Sequence, residues 1–144
     1  MLKTNNSKIR SKCPISCSLD IFGDKWSLLI LRDMVFKKKN TFKDFILSEE
    51  KIASNILSSR LKKLEKFGVI SKNNDIQNRK TKIYKLTDSG LELIPTILEI
   101  TIWGKNNIKI FNQKYQNLLD SIKNKQKLIE KLQHEYLESF NKTL

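Results

Sequence analysis

The sequence predicts a mainly helical fold carrying one small β-hairpin. Glycine and proline are scarce, with four and two in 144 residues, so each one marks a boundary. Most segments between these breakers place apolar residues at helical spacing. Two short segments, residues 69–75 ("VISKNND") and 81–88 ("TKIYKLTD"), flank the polar, basic tip "IQNRK" and read as the strands of a hairpin.

The elements follow in order. "CPISCSLDIFGDKW" puts Pro14 in a first helical turn, so a short helix runs to Phe22 and Gly23 stops it. "DKWSLLILRDMVF" carries Trp26, Leu28, Leu29, Ile30, Leu31, Met34, Val35 and Phe36, a largely buried helix with Asp24 as its N-cap. "KKKN" is a turn. Thr41 then caps "FKDFILSE", residues 42–49, with Phe42, Phe45 and Ile46 on one side. The next helix covers about residues 53–67, with Leu57, Leu61, Leu64 and Phe67 inward and Gly68 behind it in a left-handed conformation. Beyond the hairpin, Thr87 or Asp88 starts another helix, which Pro95 forces to begin late or to kink. From Ile108 the chain reads as one long helix. There Phe111, Tyr115, Leu118, Ile122, Ile129, Leu132 and Tyr136 step by threes and fours, with Lys125 interrupting. That stripe must fold back on its own domain or pair with the same helix of a second chain, and pairing is the favoured expectation.

Four helices, a hairpin and a further helix make a winged helix-turn-helix with a long C-terminal helix. The expected organisation is a basic arm over residues 1–12, a DNA-binding domain over 13–107 and a helical, dimerising extension over 108–144. The helix at 53–67 has an outer side of Ser54, Asn55, Ser58, Ser59 and Lys62. Short polar residues are poor choices for a merely solvated helix, where longer charged residues form better helix. They suit a helix that must approach base edges closely in the major groove.

Charge supports that reading. The net charge is +13, and residues 1–110 hold 22 basic against 11 acidic side chains. Such an excess is an electrostatic footprint for nucleic acid, with lysine-rich coding bias as the bland alternative. At 39% apolar and 30% charged the chain is globular. No apolar run reaches the ~18 residues of a membrane span, and no signal-type segment follows the basic start, so a cytoplasmic location is expected. Cys13, Cys17 and a single histidine, His134, provide neither a disulfide framework nor a zinc set. With no phosphate loop or nucleophile motif, neither enzyme activity nor a cofactor nor a metal is expected.

These residues resemble the HxlR family of bacterial transcriptional regulators, winged-helix proteins related to the MarR group. The matching blocks are "CP" at 13–14, "LDIFGDKWSLLILRDM" at 19–34, "TFKDF" at 41–45, "LSSRLKKLEKFGVI" at 57–70, "YKLTDSG" at 84–90 and "IWG" at 102–104. The wing, "DIQNRKTKIY", is closer to the MarR pattern, and the tail from Phe111 to Leu144 runs past the usual family ending. The resemblance implies a homodimer on a palindromic double-stranded operator. It also implies dimerisation through the first helix and the helices after the wing, and in some members sensing of oxidants or electrophiles through the cysteine at the position of Cys13.

The expected DNA contacts are therefore Ser54, Asn55, Ser58, Ser59 and Lys62 on the reading helix and Arg79, Lys80 and Lys82 on the wing. Lys38, Lys39, Thr41, Lys43 and Arg60 are further candidates, Arg60 either reaching DNA or bracing the wing by a salt bridge. Cys13 is the redox candidate, since free amides and the dipole at a helix start favour a thiolate. No small-molecule effector is specified. The rival function is a winged helix that docks proteins instead of DNA, which would not need so basic a domain.

Overall fold

The computed structural model describes residues 11–109, 120 and 124–141. The chain divides into two compact units, Met1–Leu91 and Glu92–Leu144.

The first unit begins with α1 (Pro14–Phe22), which Pro14 opens and Gly23 ends. Helix α2 (Lys25–Lys37) is capped by Asp24, whose carboxylate accepts from the Ser27 amide at 3.0 Å. Helix α3 (Phe42–Ile46) starts in a capping box: the Thr41 hydroxyl accepts from the Asp44 amide, and the Asp44 carboxylate accepts from the Thr41 amide. Helix α4 (Ser54–Lys66) turns Leu57, Leu61 and Leu64 inward. They meet Leu31, Met34 and Val35 of α2 and Phe45 of α3, all buried, in one core.

Helix α4 stops where the sequence places the stop. Gly68 has φ 71°, its amide donates to Glu65 O and the Val69 amide donates to Leu64 O, both at 2.9 Å. This paired closure satisfies two carbonyls that the helix end would otherwise leave open.

Strands β1 (Ile70–Asn74) and β2 (Lys82–Leu86) form the antiparallel hairpin, with Ile70 opposite Leu86 and Lys72 opposite Tyr84. Tyr84 ties it to α3 and the turn before it. The Tyr84 amide donates to Asn40 O at 2.7 Å, and the Tyr84 ring meets Phe45 edge-on at 6.3 Å. After β2 a single turn, α5 (Asp88–Leu91), brings Gly90 so close to β1 that a Cβ there would lie 2.2 Å from Val69 O.

The second unit holds α6 (Ile94–Asn107) and α7 (Lys125–Asn141). Pro95 acts as expected: it lies in the first turn of α6, and the chain breaks before it rather than kinking. The expectation of one helix from Ile108 onward is corrected. Ile108 is extended, and Asn124 is non-helical, its side chain accepting from the Lys127 amide at 3.1 Å to cap a separate helix. Lys125, where the stripe is interrupted, opens α7 and pairs with Glu99 of α6. Leu128, Ile129, Leu132 and Tyr136 of α7 are buried within the chain, as are Ile94, Ile97 and Leu98 of α6, on which α7 packs. This part of the stripe folds back rather than standing open for a second chain. Phe111, Tyr115, Leu118 and Ile122 lie outside the described residues, as does the basic arm up to residue 10. Among the described residues no helix is long and apolar enough to cross a membrane.

Candidate nucleic-acid interface

The outer side of α4 stands open. Ser54, Asn55, Ser59 and Lys62 are exposed and Ser58 is half-buried, while the leucines three and four positions away are fully covered. One helix thus has a fixed apolar side and a free side of small hydroxyls and one amide. Its start adds a second feature. Ala53 is the N-cap and has no side chain to close the first turn, so the leading amides of α4 keep their hydrogens available.

The hairpin tip is polar and internally ordered. The Asp75 carboxylate accepts from the Gln77 amide at 3.0 Å, and the Asn78 side chain accepts from the Lys80 amide at 3.2 Å. Such side-chain turns hold a loop in shape without a core. Arg79 and Lys80 are exposed there and form no ion pair with a described residue. Lys82 is exposed at the base of the tip and donates to the Asn74 side chain. Lys43 on α3 is also exposed.

Four of the further candidates are engaged elsewhere. Arg60 braces, but not the wing: its Nε donates to Asp24 Oδ1 at 2.8 Å, tying α4 to the start of α2. Burial raises the Asp24 carboxyl, but hydrogen bonds from Ser27 and Arg60 and the Arg60 charge outweigh it and bring it down to about 2. The Thr41 hydroxyl donates to Asp44 at 2.7 Å and accepts from its amide, so the capping box occupies it. Lys38 takes the left-handed position that ends α2, with φ 53°, and its ammonium donates to Val35 O at 2.9 Å. Lys39 donates to Asp33 at 3.1 Å and to Ser48 at 2.7 Å.

Asp33 is the residue that sequence reasoning missed. It is 2% exposed, in a helix otherwise read as apolar. Arg32 reaches it at 2.6 Å, Lys37 at 3.5 Å and Lys39 at 3.1 Å, and the Ser48 hydroxyl donates to it. Burial pushes its carboxyl up, yet the Ser48 and Arg32 hydrogen bonds, the Arg32 charge and Lys39 hold it below the ordinary range. Arg32 also grips Glu50 at 2.9 Å, so the cluster spans α2 and the turn leading to α4. The available signal was a lone Asp amid a buried helix next to a lysine run.

Cys13 is the exposed N-cap of α1, and its amide donates to Ser11 Oγ at 3.0 Å. Cys17 lies on α1 and donates to Ser11 O at 3.2 Å. Trp103 on α6 is 63% exposed. Among the described residues no group of three or more His, Cys, Asp or Glu is placed to hold a metal ion.

Residues 21–112 match the family of HxlR-like helix-turn-helix proteins. Over 120 residues the chain is 32% identical to the HTH-type transcriptional regulator YdeP of Bacillus subtilis (strain 168), covering 83% of this chain and 87% of that protein. A second regulator of that organism, YybR, is 29% identical over 125 residues, 87% of this chain and 98% of the relative. The crystal structure of PA1607 superposes with a TM-score of 0.64 at 35% identity, over 70% of this chain and 69% of that one. The redox regulator HypR in its oxidised form gives 0.59 at 26% identity, over 68% and 100%.

Proposed function

The chain belongs to the HxlR-like helix-turn-helix family and is a transcriptional regulator of the helix-turn-helix type; on that premise we propose that it works in the cytoplasm as a homodimer that reads a palindromic operator with α4. The observation that carries this reading is the open face of α4, small and polar on a helix whose other side is locked into a core. Ser54, Asn55, Ser58 and Ser59 let the helix axis come close to base edges while still offering donors and acceptors. The uncapped amides at Ala53 meet a phosphate oxygen, as helix starts do. Lys62, Lys43 and the wing cations Arg79, Lys80 and Lys82 contact the backbone and set the register.

Exposed apolar residues support the homodimer. Ile15 and Leu19 on α1, and Ile100 and Trp103 on α6, are between 50% and 71% exposed and about one turn apart on their helices. Each pair, taken by itself, is an apolar face that a second copy would cover; a two-fold dimer reading one side of the duplex would hold its two α4 helices ~34 Å apart, one helical turn. The finer role is sensing through Cys13, exposed at the start of α1. Oxidation there bridges subunits rather than joining Cys13 to Cys17, whose side chains one turn apart run parallel.

Footprinting on the DNA flanking its own gene tests the reading. Neutralising about six phosphates per dimer gives a log–log salt slope of roughly −5. Ser58→Glu abolishes operator binding and leaves the dimer intact; unchanged affinity would remove α4 from the groove. Retention on duplex DNA that ignores salt would move the chain to the protein-docking class. Cys13→Ser removes any response to quinone, aldehyde or hypochlorite without weakening reduced binding, and an unresponsive wild type ends the sensing role.

A further inference from the structure

We propose that Asp24 is a positioning residue for DNA recognition, holding Arg60 so that the Arg60 guanidinium orients the Ser59 hydroxyl as a hydrogen-bond donor toward the duplex. The inference rests on the DNA-binding reading of α4. It starts from one carboxylate with two jobs. Asp24 is fixed to α2 as its N-cap, with Oδ1 accepting from the Ser27 amide at 3.0 Å and Oδ2 from the Ser27 hydroxyl at 2.7 Å. Ser27 is fully buried, so the anchor is rigid. The same carboxylate reaches across to α4, taking Arg60 Nε at 2.8 Å and standing 3.7 Å from Lys63 Nζ.

With Nε held, the planar guanidinium has one orientation left, and its Nη1 donates to Ser59 Oγ at 3.3 Å. That fills a lone pair of the hydroxyl. The hydroxyl hydrogen is then directed away from the cation, toward the solvent side where Ser59 is exposed. A serine hydroxyl ordinarily donates or accepts according to its partner. Here one direction is chosen beforehand, so Ser59 favours acceptors: guanine O6 or N7, adenine N7, thymine O4, or a phosphate oxygen. The arrangement has a second consequence. Asp24 withdraws Arg60 from the backbone, so this cation adds selectivity instead of indiscriminate affinity.

Asp24→Asn separates these effects, because asparagine caps a helix as well as aspartate does while removing the negative charge that holds the arginine. The probes are the duplex that wild type selects from a random-sequence pool and a scrambled duplex of equal length, each titrated across a salt series. Asp24→Asn lowers the ratio of selected to scrambled affinity at least tenfold. Its salt slope steepens by roughly 0.9 per protomer as the freed Arg60 finds a phosphate. Arg60→Lys keeps an ion pair with Asp24 but lacks the second arm to Ser59. It loses discrimination with the slope of wild type. A ratio within twofold of wild type in both variants overturns the inference. So does a fall in melting temperature that weakens both duplexes by one common factor, the mark of a merely structural residue. Wild type that binds neither duplex overturns the DNA reading and this inference together, whereas wild type that discriminates alongside an Asp24→Asn that discriminates equally overturns the positioning role alone.

Discussion

The turn after α2 and the tip of the wing each carry a cluster of cations, and the charges go to different places. In the turn, Lys37 and Lys39 point back at the buried carboxylate of Asp33, at 3.5 and 3.1 Å, and Lys38 closes the end of α2. Their side chains are folded against the protein, with Lys37 and Lys39 each 18% exposed. At the tip, Arg79 and Lys80 extend from a loop ordered by Asp75 and Asn78, and no described carboxylate pairs with them. The lesson is that a basic residue is available to a polyanion only when no buried carboxylate has claimed it. A lysine cluster around a desolvated aspartate is internal neutralisation, whereas cations on an ordered tip whose carboxylate is turned to a backbone amide are a field directed outward.

The comparison breaks most sharply at Asp33. Asp33→Ala removes the buried carboxylate on which Arg32, Lys37 and Lys39 converge, and costs on the order of 3–5 kcal/mol, as removal of one partner from a buried pair does; urea denaturation measures it. Replacing both Arg79 and Lys80 by alanine changes stability by less than about 0.5 kcal/mol. A large loss of stability in the wing variant, or none at Asp33, would erase the distinction.

The next effect is in affinity and has the opposite pattern. The Arg79→Ala, Lys80→Ala variant weakens duplex binding at low salt and makes the log–log salt slope shallower by roughly 0.9 for each phosphate that the wing no longer neutralises. Lys37→Ala leaves that slope unchanged. A shallower slope in Lys37→Ala would show that the turn also faces DNA.

Acid sharpens the same contrast. Asp24 and Asp33 both titrate below their ordinary values in the fold, Asp24 near 2. Groups so shifted stabilise the folded state fully above the unfolded carboxylate range of about 4, and that stability is lost as pH falls through the folded values. Thermal stability therefore stays flat with respect to these two groups from pH 5 to 8 and drops between pH 4 and 2. The drop is smaller in Asp33→Asn, measured by circular dichroism. Variants at Arg79 and Lys80 follow the wild-type acid curve, since neither side chain pairs with Asp24 or Asp33.

The smallest expected change is at Lys38. Lys38→Gly relieves a left-handed conformation that costs an ordinary residue about 1 kcal/mol, less the added flexibility of glycine in the unfolded chain. A net gain of about 0.5 kcal/mol with an unaltered salt slope is expected, read by denaturation and by titration of duplex DNA.

Much of this protein was legible in its sequence because the governing forces are local. Gly68 ends α4 where it does because its φ of 71° suits a residue without a Cβ. Thr41 caps α3 as its residue type predicts, and the structure adds Asp44 to make the cap reciprocal. The leucines at 57, 61 and 64 declare which side of α4 is core, and the open face of Ser54, Asn55 and Ser59 follows as the remainder. Periodicity failed where two causes gave the same signal. A stripe of apolar residues looks identical whether it covers a neighbour in its own chain or a second copy, and among the described residues it is the burial of Leu128, Ile129, Leu132 and Tyr136 that shows α7 packed on α6. Charge failed for a related reason. Arg60 and Lys39 are cations in any sequence, but Arg60 meets a carboxylate 36 positions away across two packed helices, and Lys39 meets one 6 positions back where the left-handed Lys38 folds the end of α2 on itself. The sequence by itself determined the helices up to α4, their ends, the hairpin and the open polar face of α4, through backbone conformation and apolar spacing. Only the tertiary structure decided which charges are neutralised inside and which remain for a partner, because electrostatic pairing acts through space between segments that the chain order leaves unrelated.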